Sequence, residues 1–219
     1  MAGKVITITS GKGGVGKTTT CANIGTGLAI RGKKVVLIDA DIGLRNLDVV
    51  MGLENRIVFD LIDVVEKNCK LRQALIKDKR FESLFLLPAA QTKEKDAVKP
   101  EQMVELCQEL KLDFDYILID CPPSLGLLTL NALTASDSVL IPVQAEYYAL
   151  EGLGQLLNTI NIVRKHLNPK LELEGVLITM YDSRLRLSKQ VAEEVRKYFR
   201  SKVFNTVIFR NVRLSEAPS

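Results

Sequence analysis

The sequence predicts an α/β protein: a single domain, residues 1–219, with a mostly parallel sheet held between two layers of helices. Three observations predict it. Apolar, β-branched runs of strand length alternate along the chain with stretches of helical pattern. Most of those runs are continuously apolar, which suits strands buried on both faces of a parallel sheet. The first run leads straight into a glycine-rich stretch that fits Gly, four residues, Gly-Lys-Thr, and a helical pattern begins at once behind it. That strand–loop–helix order separates a true phosphate loop from a chance match, and makes the fold class a three-layer P-loop NTPase.

In chain order, the first strand is read at 5–9 and the first helix at 18–31. A second strand at 34–38 is followed by helices at 58–66 and 71–76. The third strand, 84–87, gives way to residues 91–98, which are charged, short of large apolar side chains and read as an exposed loop. Pro100 followed by Glu101 opens a helix at 100–112. Strand 116–119, helix 126–135, strand 138–143 and helix 146–166 come next, then strand 173–180, helix 187–199 and strand 203–208. Linkers, repeats and low-complexity tracts are absent from the sequence.

The composition narrows the function classes. With 47% apolar and 26% charged residues the balance is that of an ordinary globular chain. No apolar run approaches the roughly 20 residues of a membrane helix, and a strand beginning within four residues leaves no room for a signal peptide. Cys21, Cys69, Cys107 and Cys121 stand far apart without metal-type pairing, so a reduced, cytoplasmic protein is expected. The lone His166 lies in a polar helix end, which argues against a histidine triad or histidine metal site. The net charge of +4 is uneven: between Asp182 and Glu216, nine Lys/Arg face four acids. A basic surface of that kind can hold a polyanion, although a surface helix normally carries a charged outer face.

The chemistry starts from Ser10-Gly11-Lys12-Gly13-Gly14-Val15-Gly16-Lys17-Thr18-Thr19. Glycines let successive backbone N–H groups turn inward on phosphate oxygens, and the helix N-terminus adds positive dipole. Lys17 is expected to bridge the β- and γ-phosphates and the Thr18 hydroxyl to ligate Mg²⁺. Strand 116–119 ends in Asp120-Cys121-Pro122-Pro123, where an acid can hold Mg²⁺ directly or through water. Strand 34–38 ends in Asp39-Ala40-Asp41, whose i, i+2 spacing sends both carboxylates one way if the chain stays extended. One would support the Mg²⁺ shell, here assigned to Asp39. Asp41 would orient a water for attack on the γ-phosphate, although one of the two could instead cap the next helix.

At this point the stretch from Lys12 to Thr19 resembles the deviant Walker A motif of the ParA/MinD ATPases, marked by the extra lysine near the start of the loop, Lys12. The resemblance spans essentially the whole chain. It implies that Lys12 reaches across a nucleotide-sandwich homodimer to the partner's ATP, acting like an arginine finger once two subunits meet. ATP-dependent dimerisation, ADP as product and slow, partner-stimulated, Mg²⁺-dependent hydrolysis are implied likewise, as is a ParB-like or MinE-like activating peptide.

Two parts of the chain resemble different branches of that family. Residues 1–120 look like MinD, through Asp39-Ala40-Asp41-Ile42-Gly43-Leu44-Arg45-Asn46-Leu47-Asp48 and Leu87-Pro88-Ala89-Ala90-Gln91-Thr92. Residues 121–219 look like Soj-type chromosomal ParA, through Cys121-Pro122-Pro123-Ser124-Leu125-Gly126, the run from Pro142 to Gly152, and the run from Arg210 to Ser219. An engineered chimera, a recombinant and a natural intermediate all fit one sequence, and the abruptness of the switch favours engineering. The amphipathic C-terminal helix that takes MinD to membranes is missing, so no membrane anchor is expected. The Soj-type resemblance carries nonspecific, nucleoid-associated DNA binding onto Arg184 and Arg213. It also places Phe209 where the family usually has a proline packed on adenine, with Asn211 as hydrogen-bond partner for the base.

Overall fold

The fold is described from a computed structural model covering residues 2–43, 46–91, 98–146 and 149–216. Parts of the family-like runs, namely Leu44, Arg45, Thr92, Tyr147, Tyr148 and residues 217–219, lie outside the described residues, as does most of the expected loop at 91–98. Among the described residues the chain runs β1 (Lys4–Ile8), α1 (Lys17–Ile30), β2 (Val35–Asp39), α2 (Asn46–Met51), α3 (Leu61–Val65), α4 (Leu71–Ala74), β3 (Ile76–Lys77) and β4 (Leu84–Leu87). It continues through α5 (Pro100–Asp113), β5 (Tyr116–Asp120), α6 (Leu127–Ala135), β6 (Ser138–Gln144), α7 (Ala149–His166), β7 (Glu172–Tyr181), α8 (Arg186–Phe199), β8 (Val203–Phe209) and α9 (Val212–Glu216).

One sheet holds all eight strands in the order β3-β4-β2-β5-β1-β6-β7-β8. Every pairing is parallel except β3 with β4. The continuous apolar runs are explained by burial on both faces. In β2, Val36 and Ile38 join the core beneath α3–α6, while Val35 and Leu37 join the one beneath α1 and α2. A third cluster lies under α7 and α8, against Val139, Ile141 and Val143 of β6. Helix α8 shows the division within a helix: Val191, Ala192 and Val195 point inward, and its charged residues cover the outside.

Several elements depart from the sequence reading for local reasons. The helix expected at 58–66 starts only at Leu61, because Asp60 caps it: its Oδ1 accepts from Ile62 N and Asp63 N, and Asp63 Oδ2 accepts from Asp60 N. The helix expected at 71–76 stops at Ala74, since Ile76 and Lys77 pair antiparallel with Leu86 and Phe85. The helix expected from 146 is described from Ala149. Helix α2 was not expected; its short apolar pair, Leu47 and Met51, carries too little periodicity to stand out. Asp39 and Asp120 close β2 and β5 from within rather than following them.

Candidate functional site

The carboxyl ends of three neighbouring strands meet in one place. Ile8 of β1 lies opposite Asp120 of β5, and Asp120 lies opposite Asp39 of β2. The glycine-rich loop leaves β1 at this edge, so the phosphate loop and the two strand-ending acids are neighbours by register. This is where open α/β sheets bind ligands.

The loop has the backbone a phosphate cradle needs. Gly14 (φ 72°) and Gly16 (φ 87°) adopt left-handed conformations that side-chain-bearing residues resist. Gly16 is the N-cap of α1. No side chain caps that helix and no acid sits in its first turn, so its leading N–H groups and dipole are left for an anion. The loop is fixed from two sides. Thr179 Oγ1 of β7 donates to Val15 O at 2.9 Å, and Ser10 Oγ donates to Lys12 O at 2.6 Å. Behind the loop, Gly11 packs backbone to backbone on Gly152 in the first turn of α7.

The charged groups sit unevenly. Lys17 is buried, and among the described residues its Nζ makes only long contacts, 3.4 Å to Lys12 O and 3.5 Å to Ser10 Oγ. Burial lowers its pKa while Asp120, Cys121 and Asp41 work against that shift. Asp39, Asp41 and Asp120 are all buried. Burial, then the Asp120 charge, pushes Asp39 up to about 8. Burial also pushes Asp120 to about 7, opposed by a hydrogen bond from Thr18 and by the charge of Lys17. Asp120 Oδ1 is buried without a hydrogen-bond partner among the described residues. A buried carboxylate oxygen of that kind, with the Thr18 hydroxyl beside it, fits a hard cation. Among the described residues no group of three His, Cys, Asp or Glu side chains could hold a metal alone.

Asp39 is a backbone acceptor. Its Oδ1 accepts from Asp41 N at 2.9 Å and its Oδ2 from Leu47 N at 3.2 Å, tying the start of α2 to the end of β2. Lys12 is half-exposed, with Nζ 3.8 Å from Glu146 Oε2. Gln144 Nε2 holds that glutamate's other oxygen at 2.8 Å. A pair this exposed contributes about 0–1 kcal/mol and yields readily to a stronger anion. The sequence reading missed Ser10, Glu146, Gly152 and Thr179. Of these, only Ser10 borders the motif.

The remaining expected residues cluster at the β7–β8 end of the same sheet edge. Phe209 is 56% exposed and meets Tyr181 edge to face, centroids 5.6 Å apart. Asn211 Oδ1 accepts from Arg213 N at 2.9 Å, at the start of α9. The Arg184 guanidinium is held by Asp182 at 2.9 and 2.7 Å, and those hydrogen bonds pull the Asp182 carboxyl down to about 2. Arg213 is exposed. All four cysteines are free thiols.

Comparison with known proteins agrees with this geometry. A family model described as an AAA domain matches residues 3–173. The chain is 52% identical over 234 residues to the sporulation initiation inhibitor protein Soj of Bacillus subtilis (strain 168), spanning 99% of this chain and 88% of that one. It is 56% identical over 159 residues to the septum site-determining protein MinD of the same organism, spanning 72% and 59%. Among solved structures, cobyrinic acid a,c-diamide synthase from Mycobacterium smegmatis, with bound ATP analog and magnesium, superposes with a TM-score of 0.84. The two are 34% identical, and 96% of this chain and 86% of that one are covered.

Proposed function

This chain belongs to the ParA/MinD family of P-loop ATPases, and we propose that it is an ATP-dependent, dimerising switch ATPase serving chromosome partition or division-site placement. The observation that carries the reading is the meeting of an uncapped, glycine-framed helix N-terminus with buried carboxylates at adjacent strand ends. The first half of that arrangement favours a polyphosphate, and the second favours the cation that travels with it.

In this reading the backbone N–H groups of residues 11–19 surround the β- and γ-phosphates. Lys17 leaves its long contacts with Ser10 and Lys12 O for phosphate oxygens, regaining the partner that burial denies it. Thr18 and Asp120 would hold Mg²⁺, with Asp39 supporting its shell; bound there, the cation would supply charge to offset that of the phosphates. Asp41 orients the attacking water. Lys12 gives up Glu146 for the ATP of a second subunit, so hydrolysis waits on dimerisation. Phe209 and Asn211 border the adenine, Asn211 after releasing Arg213 N. Arg184 and Arg213 hold DNA phosphates, and a ParB-like or MinE-like peptide accelerates turnover. Identity to Soj along nearly the whole chain favours this over the synthase activity in the name of its structural neighbour. The shorter but higher MinD identity supports a chain of two ancestries.

A nucleotide-binding module with little turnover is the second reading, favoured by Lys12 and Asn211 being engaged within their own chain. Phosphate release by wild type, Asp41→Ala and Lys12→Ala, with and without DNA, separates the two. The switch reading expects wild type to be at least about tenfold faster than either variant, a loss of ~1.4 kcal/mol in transition-state stabilisation. Equal rates for all three, with no ATP-dependent DNA binding, would leave the module.

A further inference from the structure

The peptide group joining Val15 to Gly16 lies between two anchored points of the phosphate loop. On one side Lys12 O accepts from Ser10 Oγ at 2.6 Å; on the other Gly16 O accepts from Thr20 N at 2.9 Å, in the first turn of α1. The peptide itself is held from far along the chain, where the buried Thr179 Oγ1 donates to Val15 O at 2.9 Å. Among the described residues no other donor reaches Val15 O and no acceptor meets Gly16 N–H. A trans peptide points its C=O and N–H in opposite directions, so drawing Val15 O towards β7 turns Gly16 N–H away from it.

Neither residue fixes that orientation by itself. Reversing the peptide rotates ψ of Val15 and φ of Gly16, and carries Gly16 from φ 87° to negative φ, which glycine occupies as readily. Gly14, at φ 72°, leaves the other flank of Val15 equally adaptable. The reversed peptide would aim the Val15 carbonyl where the N–H had been, an acceptor facing an anion. β7 is shaped to hold the first orientation. Thr179 is the last residue of β7 in register with β6, opposite Gln144, and its backbone O accepts from Ala145 N at 3.1 Å. Met180, directly after it, has φ 50°, a left-handed value that residues with a Cβ resist. The pairing with β8 slips over the same span, between the Ile178–Val207 and Tyr181–Phe209 matches. A bulge and a strained residue beside a ligand site are devices for aiming a side chain.

We infer that Thr179 is a positioning residue for phosphate binding: its hydroxyl selects the orientation of the Val15–Gly16 peptide that offers an N–H to the phosphates. This role rests on the phosphate-loop reading above, and it belongs to a residue outside the motif, 164 positions from Val15. The loop is then a two-state element whose competent state is favoured by one neutral hydrogen bond, and nucleotide binds only that state. Removing the hydroxyl reduces the competent fraction and raises the apparent Kd, by roughly 3- to 10-fold for one such bond. Once bound, the phosphates hold the N–H themselves, so the chemical step is spared.

The test is titration of wild type, Thr179→Val and Thr179→Ser with MgATP, together with the Gly16 amide resonance followed during titration with MgADP. Val15-Gly16 is the one Val-Gly pair of the sequence, so labelling with carbonyl-¹³C valine and ¹⁵N-glycine picks out that amide. Thr179→Val keeps the side-chain shape and removes the donor; Thr179→Ser keeps the donor. Thr179→Val is expected to bind MgATP about 3- to 10-fold more weakly, with KM raised alike and kcat within about twofold of wild type, and Thr179→Ser to recover wild-type affinity. The wild-type Gly16 resonance should be single and move downfield as MgADP binds, whereas in Thr179→Val it should broaden or double. Wild-type affinity in Thr179→Val, a Thr179→Ser as weak as Thr179→Val, or a Gly16 resonance indifferent to nucleotide would each overturn the inference. Should Thr179→Val lose its fold, the Thr179→Ser affinity and the wild-type resonance decide. If wild type itself fails to bind MgATP, the phosphate-loop reading falls and this role with it. If wild type binds and Thr179→Val matches it, only this role falls.

Discussion

Replacing Gly11 by alanine asks whether the phosphate loop is braced from behind by α7. A Cβ on Gly11 would overlap the Gly152 carbonyl and stand 2.5 Å from its carbon, with the Gly152 Cα at 2.9 Å. Carbon–carbon contact begins near ~3.5 Å, so one backbone must retreat by about 1 Å. Neither can do so cheaply, because Gly152 lies in a helix and Gly11 in a loop held by Thr179 and Ser10. Overpacking of this kind costs about 1–3 kcal/mol, equivalent to roughly 3–10 °C in a domain of this size. Displacing the N–H groups that face the phosphates should weaken ATP binding by about tenfold or more, or ~1.4 kcal/mol. Gly152→Ala should be milder, since its Cβ would meet Gly11 O at 2.8 Å and the change also removes a helical glycine. Gly13→Ala, whose Cβ would find only Pro123 Cβ at 3.5 Å, should melt with wild type. Melting by circular dichroism and titration with a fluorescent ATP analogue read both effects. Wild-type melting and affinity in Gly11→Ala would refute the brace.

Two glycines of α1 should behave oppositely. Gly25→Ala drives a Cβ to 2.5 Å from Leu37 Cδ2 and should lower the melting temperature, whereas Gly27→Ala meets nothing within 4 Å and should add about 0.5–1 kcal/mol. The buried acids give a pH signature. Asp39 keeps its proton to about pH 8 when folded but loses it near pH ~4 when unfolded, so it makes stability fall as pH rises through that window. Asp39→Asn should therefore gain on wild type from pH 5 to 8 in denaturant titrations with EDTA; a constant difference would contradict the assignment. Mg²⁺ requires the ionised acids, so its stabilisation of wild type should grow over the same range and release protons, measurable by calorimetry in buffers of different ionisation enthalpy. Asp182→Ala frees the Arg184 guanidinium and should tighten ATP-dependent DNA binding, while Arg184→Ala should reduce the salt slope by about one. Unchanged salt slopes in fluorescence anisotropy would remove Arg184 from the DNA face.

The parts of this protein legible in its sequence are those whose physics is local. The cradle follows from Gly14, Gly16, Lys17 and Thr18 in fixed spacing, and the parallel sheet from runs such as Val35-Val36-Leu37-Ile38, buried on both faces. Asp120 could be placed at the carboxyl edge of the sheet because an acid that ends an apolar strand falls there. The rest depends on distant parts of the chain. Nothing near Gly11 points to Gly152, and nothing in Thr179 announces its bond to Val15, 164 residues away. Short elements were lost for the same reason: β3 exists only because Leu86 and Phe85 offer it partners. The double use of Asp39, as a buried acid and as an acceptor for Asp41 N and Leu47 N, depends on where the chain turns after β2.

The two-residue β3 has a consequence for how far such molecules can associate. It turns one side of the sheet against its direction and closes it after two residue pairs. A strand of two residues that ends on Lys77 gives an incoming strand little to pair with, so this side of the sheet is a poor template for growth from copy to copy.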